Sequence, residues 1–232
     1  MTTLSIPRPG WRLAGAALFA SLLLVGGWWR VAEARDRGPG QPALRPHPAE
    51  ARQLQPGDLI FRRGQSLASD VVLSLDADAA YSHVGLLIAA NGQRLAVAHA
   101  APGEAAAAAP EPIRIDPLSA FLAPGAAVAA AIYRPLDPAA AARAATIASR
   151  YAERRLPFDA RFRLDTADQL YCTELVWRAF HEAGVELLDH PPRTIDNLLL
   201  QGPVILPSDL LRSSKLRRLL DFTTKENEDV SR

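Results

Sequence analysis

The chain has 232 residues, 49% of them hydrophobic, with a formal net charge of +1. That length suits one domain of ordinary size, and the balanced charge gives no basic surface of the kind nucleic acid selects, so no nucleic-acid partner is expected. A single cysteine excludes an internal disulfide and a Cys-rich metal site, and no metal or organic cofactor is expected.

Arg8 and Arg12 precede an apolar run from Leu13 to Trp29, closed by Arg30. The run sits at the short end of the range for a membrane-spanning helix and slightly beyond a typical signal-peptide core. Ala32-Glu33-Ala34 is an A-x-A pattern that would allow cleavage after Ala34, whereas Trp28, Trp29 and Arg30 resemble an interfacial anchor. Both readings place residues 1–32 at a membrane and the rest of the chain on its far side, the extracytoplasmic or periplasmic side. An uncleaved single-pass anchor is the preferred reading, and a secreted form is the outcome if the segment is removed. Residues 33–52, rich in Arg, Pro and Gly, are expected to be a tether.

Globular patterning begins near Leu54, and residues 53–221 are expected to form the one folded domain. Pro56-Gly57 predicts a turn, and Asp58-Leu59-Ile60-Phe61 a strand after it. Ser69 to Leu75 reads as a helix. His83 to Ala90 and Arg94 to Ala100 flank Asn91-Gly92, a strong hairpin signal. An Ala/Pro stretch from Ala101 to Pro112 reads as a loop, and further strands fit Ile113 to Ile115 and Ala127 to Tyr133. Asp137-Pro138 supplies an N-cap and first-turn proline for an Ala-rich helix to about Arg154. Cys172 to Ala183 carries Leu175, Val176, Ala179, Phe180 and Ala183 at helical spacing, and Gly184 terminates it. A third, shorter helix is expected from Ser208 to Leu220, and residues 222–232 form a charged tail expected to be disordered. The class is α+β, an antiparallel sheet packed with helices.

Cys172 is the most informative residue, because it stands at the start of a predicted helix. Unpaired N–H groups and the dipole at that end favour a thiolate and are expected to lower the thiol pKa. The same groups can bind the oxyanion formed when sulfur attacks a carbonyl. Such a nucleophile needs a base, and the base an orienting partner. Of five histidines, His47 lies in the tether, His190 beside Pro191-Pro192, and His181 too far along the Cys172 helix to reach back. His83 and His99 remain, on the two hairpin strands. An exact pairing about Asn91-Gly92 sets His83 opposite residue 100, one step beyond His99; a bulge or one-residue change in the turn brings both onto one face. Two unrelated, half-buried histidines are the alternative.

Pro56-Gly57-Asp58-Leu59-Ile60-Phe61, Tyr81-Ser82-His83-Val84-Gly85-Leu86 and Tyr171-Cys172-Thr173-Glu174-Leu175-Val176 together resemble the YiiX/YaeF-like family of permuted papain-fold amidases, within the NlpC-type superfamily of cell-wall peptidases. Pro157-Phe158-Asp159 with Phe162, and Pro207-Ser208-Asp209-Leu210, extend the resemblance over Leu54 to Leu220. It implies a circularly permuted papain-like fold, with the histidine strand before the cysteine helix. It also implies that Cys172 is the nucleophile, His83 the general base, and His99 the third, polar member. Tyr171 is read either as shaping the oxyanion site or as packing; Glu174, Asp58 and Asp159 are read as structural. The implied activity is that of a cysteine peptidase or amidase, cleaving a peptide or peptidoglycan-type amide through a thioester. Its substrate would be a small peptide, peptidoglycan or a lipid-linked acyl group. Two rivals stand beside it: a lipid-directed acyltransferase or thioesterase of the same permuted order, similar to lecithin retinol acyltransferase-like proteins, and a non-catalytic binding module on this fold.

The N-terminal segment yields a direct test. An uncleaved anchor leaves Met1 or Thr2 at the terminus of a protein that fractionates with membranes. Arg35 as the first residue of a soluble product would identify a signal peptide instead.

Overall fold

The computed structural model describes residues 43–76, 78–90, 94–102, 111–196 and 201–223. The run from Leu13 to Trp29, Ala34, Asn91-Gly92, most of the Ala/Pro loop and nearly all of the tail lie outside these residues.

The backbone of the molecule is a six-stranded antiparallel sheet. Its strands are β1 (Leu59–Arg63), β2 (His83–Ala90), β3 (Arg94–His99), β4 (Arg114–Pro117), β5 (Ala129–Pro135) and β8 (Leu216–Thr223), arranged β4-β3-β2-β1-β5-β8. A separate two-stranded ribbon joins β6 (Arg193–Asp196) to β7 (Gln201–Val204). The helices are α1 (Pro48–Ala51), α2 (Leu67–Leu75), α3 (Leu118–Phe121), α4 (Pro138–Glu153), α5 (Cys172–Glu182) and α6 (Pro207–Leu211).

Central strands read as unbroken apolar runs because both faces of the sheet are covered. Side chains alternate across a strand. Leu59 and Phe61 therefore join Val84, Leu86 and Ile88 in a core shared with α4 and α5. Ile60 joins Leu87, Val97, Ala130 and Ile132 in a second core on the opposite face, closed by Phe121 and Leu122. Leu44 is buried in that second core and Pro48–Ala51 is helical, so the part of the expected tether nearest the domain packs against it.

The Ala-rich helix α4 approaches the sheet closely. Ala140, Ala141, Ala144, Ala145 and Ala148 are all buried. Its N-cap is Asp137, whose Oδ1 accepts from the Ala139 and Ala140 N–H groups at 2.9 Å each. The turn that launches β1 fits beneath this helix. Gly57 has φ +93° and donates its N–H to the Leu87 carbonyl at 2.8 Å, while the Leu87 N–H donates to Asp58 at 2.8 Å. Asp58, fully buried, is held by Arg134 through Nε at 2.8 Å and Nη2 at 2.7 Å, and also accepts from the Gln55 N–H.

One element differs in kind from expectation. The segment Ser208–Leu220 is not a single helix: α6 ends at Leu211, and Leu216–Thr223 is β8, an edge strand on β5. Ile132 pairs with Leu220 but Tyr133 with Arg218, so Leu219 is a bulge residue. The bulge turns Leu219 and Leu220 together toward the second core. It thereby spaces the apolar residues Leu216, Leu219 and Leu220 as a helix would.

A β-carbon at Gly57 would lie 2.4 Å from the Ala141 carbonyl oxygen, and φ is in the left-handed region besides. Gly57→Ala is expected to cost roughly 2–4 kcal/mol of unfolding free energy. Denaturant titration checks this, and an unchanged midpoint would show that α4 can move aside.

Candidate active site

Cys172 is the first residue of α5, and contacts made by the residues on either side fix its position. The segment Pro157–Asp159 runs beside Leu170: the Leu170 N–H donates to the Pro157 carbonyl at 3.0 Å, and the Asp159 N–H to the Leu170 carbonyl at 3.1 Å. Asp159, itself buried, accepts from the Arg161 and Arg163 N–H groups at 2.8 Å each. The loop so formed sets Phe162 against Tyr171, ring centroids 5.3 Å apart. The Tyr171 hydroxyl accepts from the Ile205 N–H at 2.9 Å, and Thr173 Oγ1 donates to the Ile205 carbonyl at 2.7 Å. Tyr171 is thus a packing residue, its hydroxyl already engaged. Glu174 accepts from the Tyr171 N–H and from Arg178, which closes the first turn. Burial pushes its carboxyl up to about 8 despite the Arg178 guanidinium.

The thiol of Cys172 is buried, and the backbone N–H of Val84, the residue after His83, favours its thiolate. Cys172 is thereby set near the start of β2. His83 opens that strand and His99 closes β3, and the observed register pairs Leu86 with Ala98 and Ala90 with Arg94. Extended along the ladder, it sets His99 opposite Gly85, so the two histidines share a face as diagonal neighbours. His83 Nε2 lies 2.9 Å from His99 Nδ1, with the rings edge to face at 83°. This is the one-residue change of register that the simple two-residue turn misses.

Three residues join the site without having been singled out in the sequence. Asp116 on β4 has Oδ2 3.0 Å from His99 Nε2 and 3.0 Å from Arg114 Nη2. Phe121 packs its ring 5.6 Å from that of His83 and 5.1 Å from that of His99. Arg62 pairs with His83 across β1 and β2, lays its guanidinium 4.4 Å over the Phe121 ring, and donates to the Phe121 carbonyl at 2.9 Å. The predicted strands that lead to two of them stop one residue short, at Ile115 before Asp116 and at Phe61 before Arg62.

Electrostatically the site holds neutral partners among fixed charges. Burial lowers the His83 imidazole well below its ordinary value, helped by Arg62, His99 and Arg114. Burial also lowers His99, against the pull of its bond to Asp116. Asp116 is lowered chiefly by the hydrogen bond from His99. Arg62 is pushed down to about 10 by burial. The Cys172 thiol departs from expectation. Burial pushes it up and outweighs the backbone N–H groups of Val84, Thr173 and Cys172 and the charge of Arg62, all of which favour the thiolate. Burial thus disfavours the charged form of both the Cys172 thiol and the His83 imidazole.

Both histidines are harder to protonate in the folded protein than in an unfolded chain, which protonates them below about pH 6.5. Their contribution to stability is present above that pH and is lost as pH falls through it, because the unfolded state then binds more protons. The thermal midpoint is expected to fall between about pH 8 and about pH 5, and to fall less in H83Q/H99Q. Equal slopes in the two proteins would show that neither imidazole is held neutral by folding.

Comparison with curated proteins finds no match. Among solved structures, the crystal structure of metalloprotein YiiX from Escherichia coli O157:H7 is similar, with a TM-score of 0.59 and 22% identity. The likeness covers 74% of this chain and 99% of that one, and it shows a shared fold. The model of the permuted papain-like amidase enzymes, YaeF/YiiX, C92 family, matches residues 53–220. A match over that length, on a sheet whose histidine strand precedes its cysteine helix, places the chain in the YaeF/YiiX family of permuted papain-like amidases.

Proposed function

We propose that this chain is a cysteine amidase or peptidase that cleaves a peptide or peptidoglycan-type amide, with Cys172 as nucleophile, His83 as general base and His99 as its orienting partner. The observation that carries the proposal is the His83–His99 contact at 2.9 Å, at the end of the strand whose Val84 N–H meets the Cys172 thiol. A histidine whose ring nitrogen is held by a second imidazole is what an oriented base requires.

In the proposed reaction His83 takes the proton from Sγ as the sulfur bonds to the carbonyl carbon. The oxyanion is held by N–H groups of the first turn of α5. The C–N bond then breaks, His83 hands its proton to the departing amine, and a thioester remains on Cys172. Water attacks the thioester after giving a proton to His83. That proton returns to sulfur as the acid product leaves.

The catalytic unit is proposed to span residues 53–221, held on the extracytoplasmic side by residues 1–32. Among the described residues no helix is long and apolar enough to cross a membrane, and the run from Leu13 to Trp29 lies outside them. The YiiX structure is titled a metalloprotein. Among the described residues of this chain, no group of three or more His, Cys, Asp or Glu could hold a metal ion. His83 Nε2 and His99 Nδ1 are turned on each other, so the site residues do not fit a metal and no step is routed through one.

The experiment is to incubate the protein with muropeptides and, separately, with a phospholipid panel, and to analyse the products by mass spectrometry. Release of a free amine from muropeptides is expected. Conversion of phospholipids alone would favour acyl chemistry on lipids, and no conversion of either by folded protein would favour a binding module. Cys172→Ala and His83→Ala are expected to abolish amine release. His99→Ala should lower turnover about 100-fold and His99→Asn less, because Asn can still bond to the imidazole. Wild-type turnover in both His99 variants would remove it from the mechanism.

A further inference from the structure

The contact between the two histidines leaves open which nitrogen of each ring carries its proton, and only one arrangement makes His83 a base. His83 Nε2 is engaged with His99, so Nδ1 is the nitrogen left for the thiol. If Nδ1 bears the hydrogen, His83 can accept nothing there. We propose that Asp116 is a positioning residue that fixes the tautomers of both histidines so that His83 presents an unprotonated Nδ1. This rests on the reading of His83 as the base.

The argument runs inward from β4. Arg114 pairs with His99 in the β3–β4 register and Asp116 with Val97, so Asp116 lies diagonally from His99 on the same face. Its Oδ2 is 3.0 Å from His99 Nε2 and 3.0 Å from Arg114 Nη2. An ionised carboxylate only accepts, so His99 Nε2 must donate. A neutral imidazole carries one hydrogen, which leaves His99 Nδ1 bare. That bare nitrogen accepts from His83 Nε2–H, and the single hydrogen of His83 is thereby placed, with Nδ1 free as a lone pair. Each assignment forces the next, and only the first involves a permanent charge. Arg114 contributes by neutralising Asp116 on its outer side, and Phe121 seals the ring pair from the opposite side. Without Asp116, His99 could carry its hydrogen on Nδ1 and reverse the whole chain. His83 would then hold its hydrogen on the nitrogen that should accept the thiol proton.

Ring-nitrogen NMR on the full chain labelled with 15N-histidine tests this directly. Substitution of each histidine in turn assigns the five residues. In the wild type, His83 is expected to be protonated at Nε2 and His99 at Nε2. In D116A the His83 signal should shift toward a mixture of tautomers, whereas D116N, whose amide oxygen still accepts from Nε2–H, should keep the wild-type form. The same series is read by iodoacetamide, since Cys172 is the only cysteine. D116A and H99A should each slow alkylation about tenfold, and D116A/H99A no further than either alone, because Asp116 acts through His99. Protonation of His83 at Nδ1 in the wild type would overturn the proposal. So would an unchanged tautomer in D116A, or additive effects in the double variant. Should D116A not fold, the wild-type tautomers and D116N decide it. If instead H83A retains amide hydrolysis while the tautomers are as stated, the reading of His83 as base fails and the tautomer assignment stands.

Discussion

The pairing of β2 with β3 is the constraint on which the site depends. Because side chains alternate along a strand, a slip of one residue would send His99 to the other face of the sheet and into the core shared with the helices. The register is protected from both sides. Leu86 and Ile88 on β2, with Ala96 and Ala98 on β3, are buried against α4 and α5, while Leu87 and Val97 are buried beneath Phe121 and Leu122. Gly85, opposite His99, completes the fit. A β-carbon there would lie 2.4 Å from Val97 Cγ1 and 3.2 Å from the His99 β-carbon, so the absent side chain gives His99 the space to reach diagonally to His83.

Placing two imidazoles, a carboxylate and two guanidinium groups in one partly dry cluster is costly unless every polar atom finds a partner. Among the described residues no buried side-chain nitrogen or oxygen lacks a hydrogen bond. The arrangement balances charge without strongly basic or acidic reacting groups. Burial, helped by Arg62, disfavours the charged imidazole; Arg62 also favours sulfur as an anion, while Asp116 offsets the two arginines. The Cys172 thiol and the His83 imidazole are thus set among charges fixed by the fold.

Much of this was legible in the residues alone, for reasons that differ element by element. α4 and α5 carry caps and apolar spacing that no other structure satisfies, and Cys172 at a helix start is a chemical signal in itself. The histidine pair was legible as a pair, but its register was not. A simple two-residue turn misses it by one, and Asn91-Gly92 lies outside the described residues. β8 was hidden because its bulge imitates the spacing of a helix. Asp116 was hidden by the long Ala/Pro stretch before β4, which conceals the partner that β4 pairs with. The thiol was misjudged for an energetic reason: the N–H groups at the helix start still favour the thiolate, but the cost of desolvating it at this buried position outweighs them.

The alanines of α4 carry a consequence for how the molecule moves. Alanine has no side-chain rotamers to lose on folding, so this interface forms at little entropic cost and afterwards has no rotamers through which to rearrange. An alanine on the helix side cannot absorb a displaced neighbour by turning a χ angle as a leucine can, so the displacement passes to the α4 backbone. The sheet, α4 and the helix bearing Cys172 should therefore behave as one stiff body. Adaptation to different substrates would then fall to the loops outside this body, where a changed side chain disturbs no packed interior.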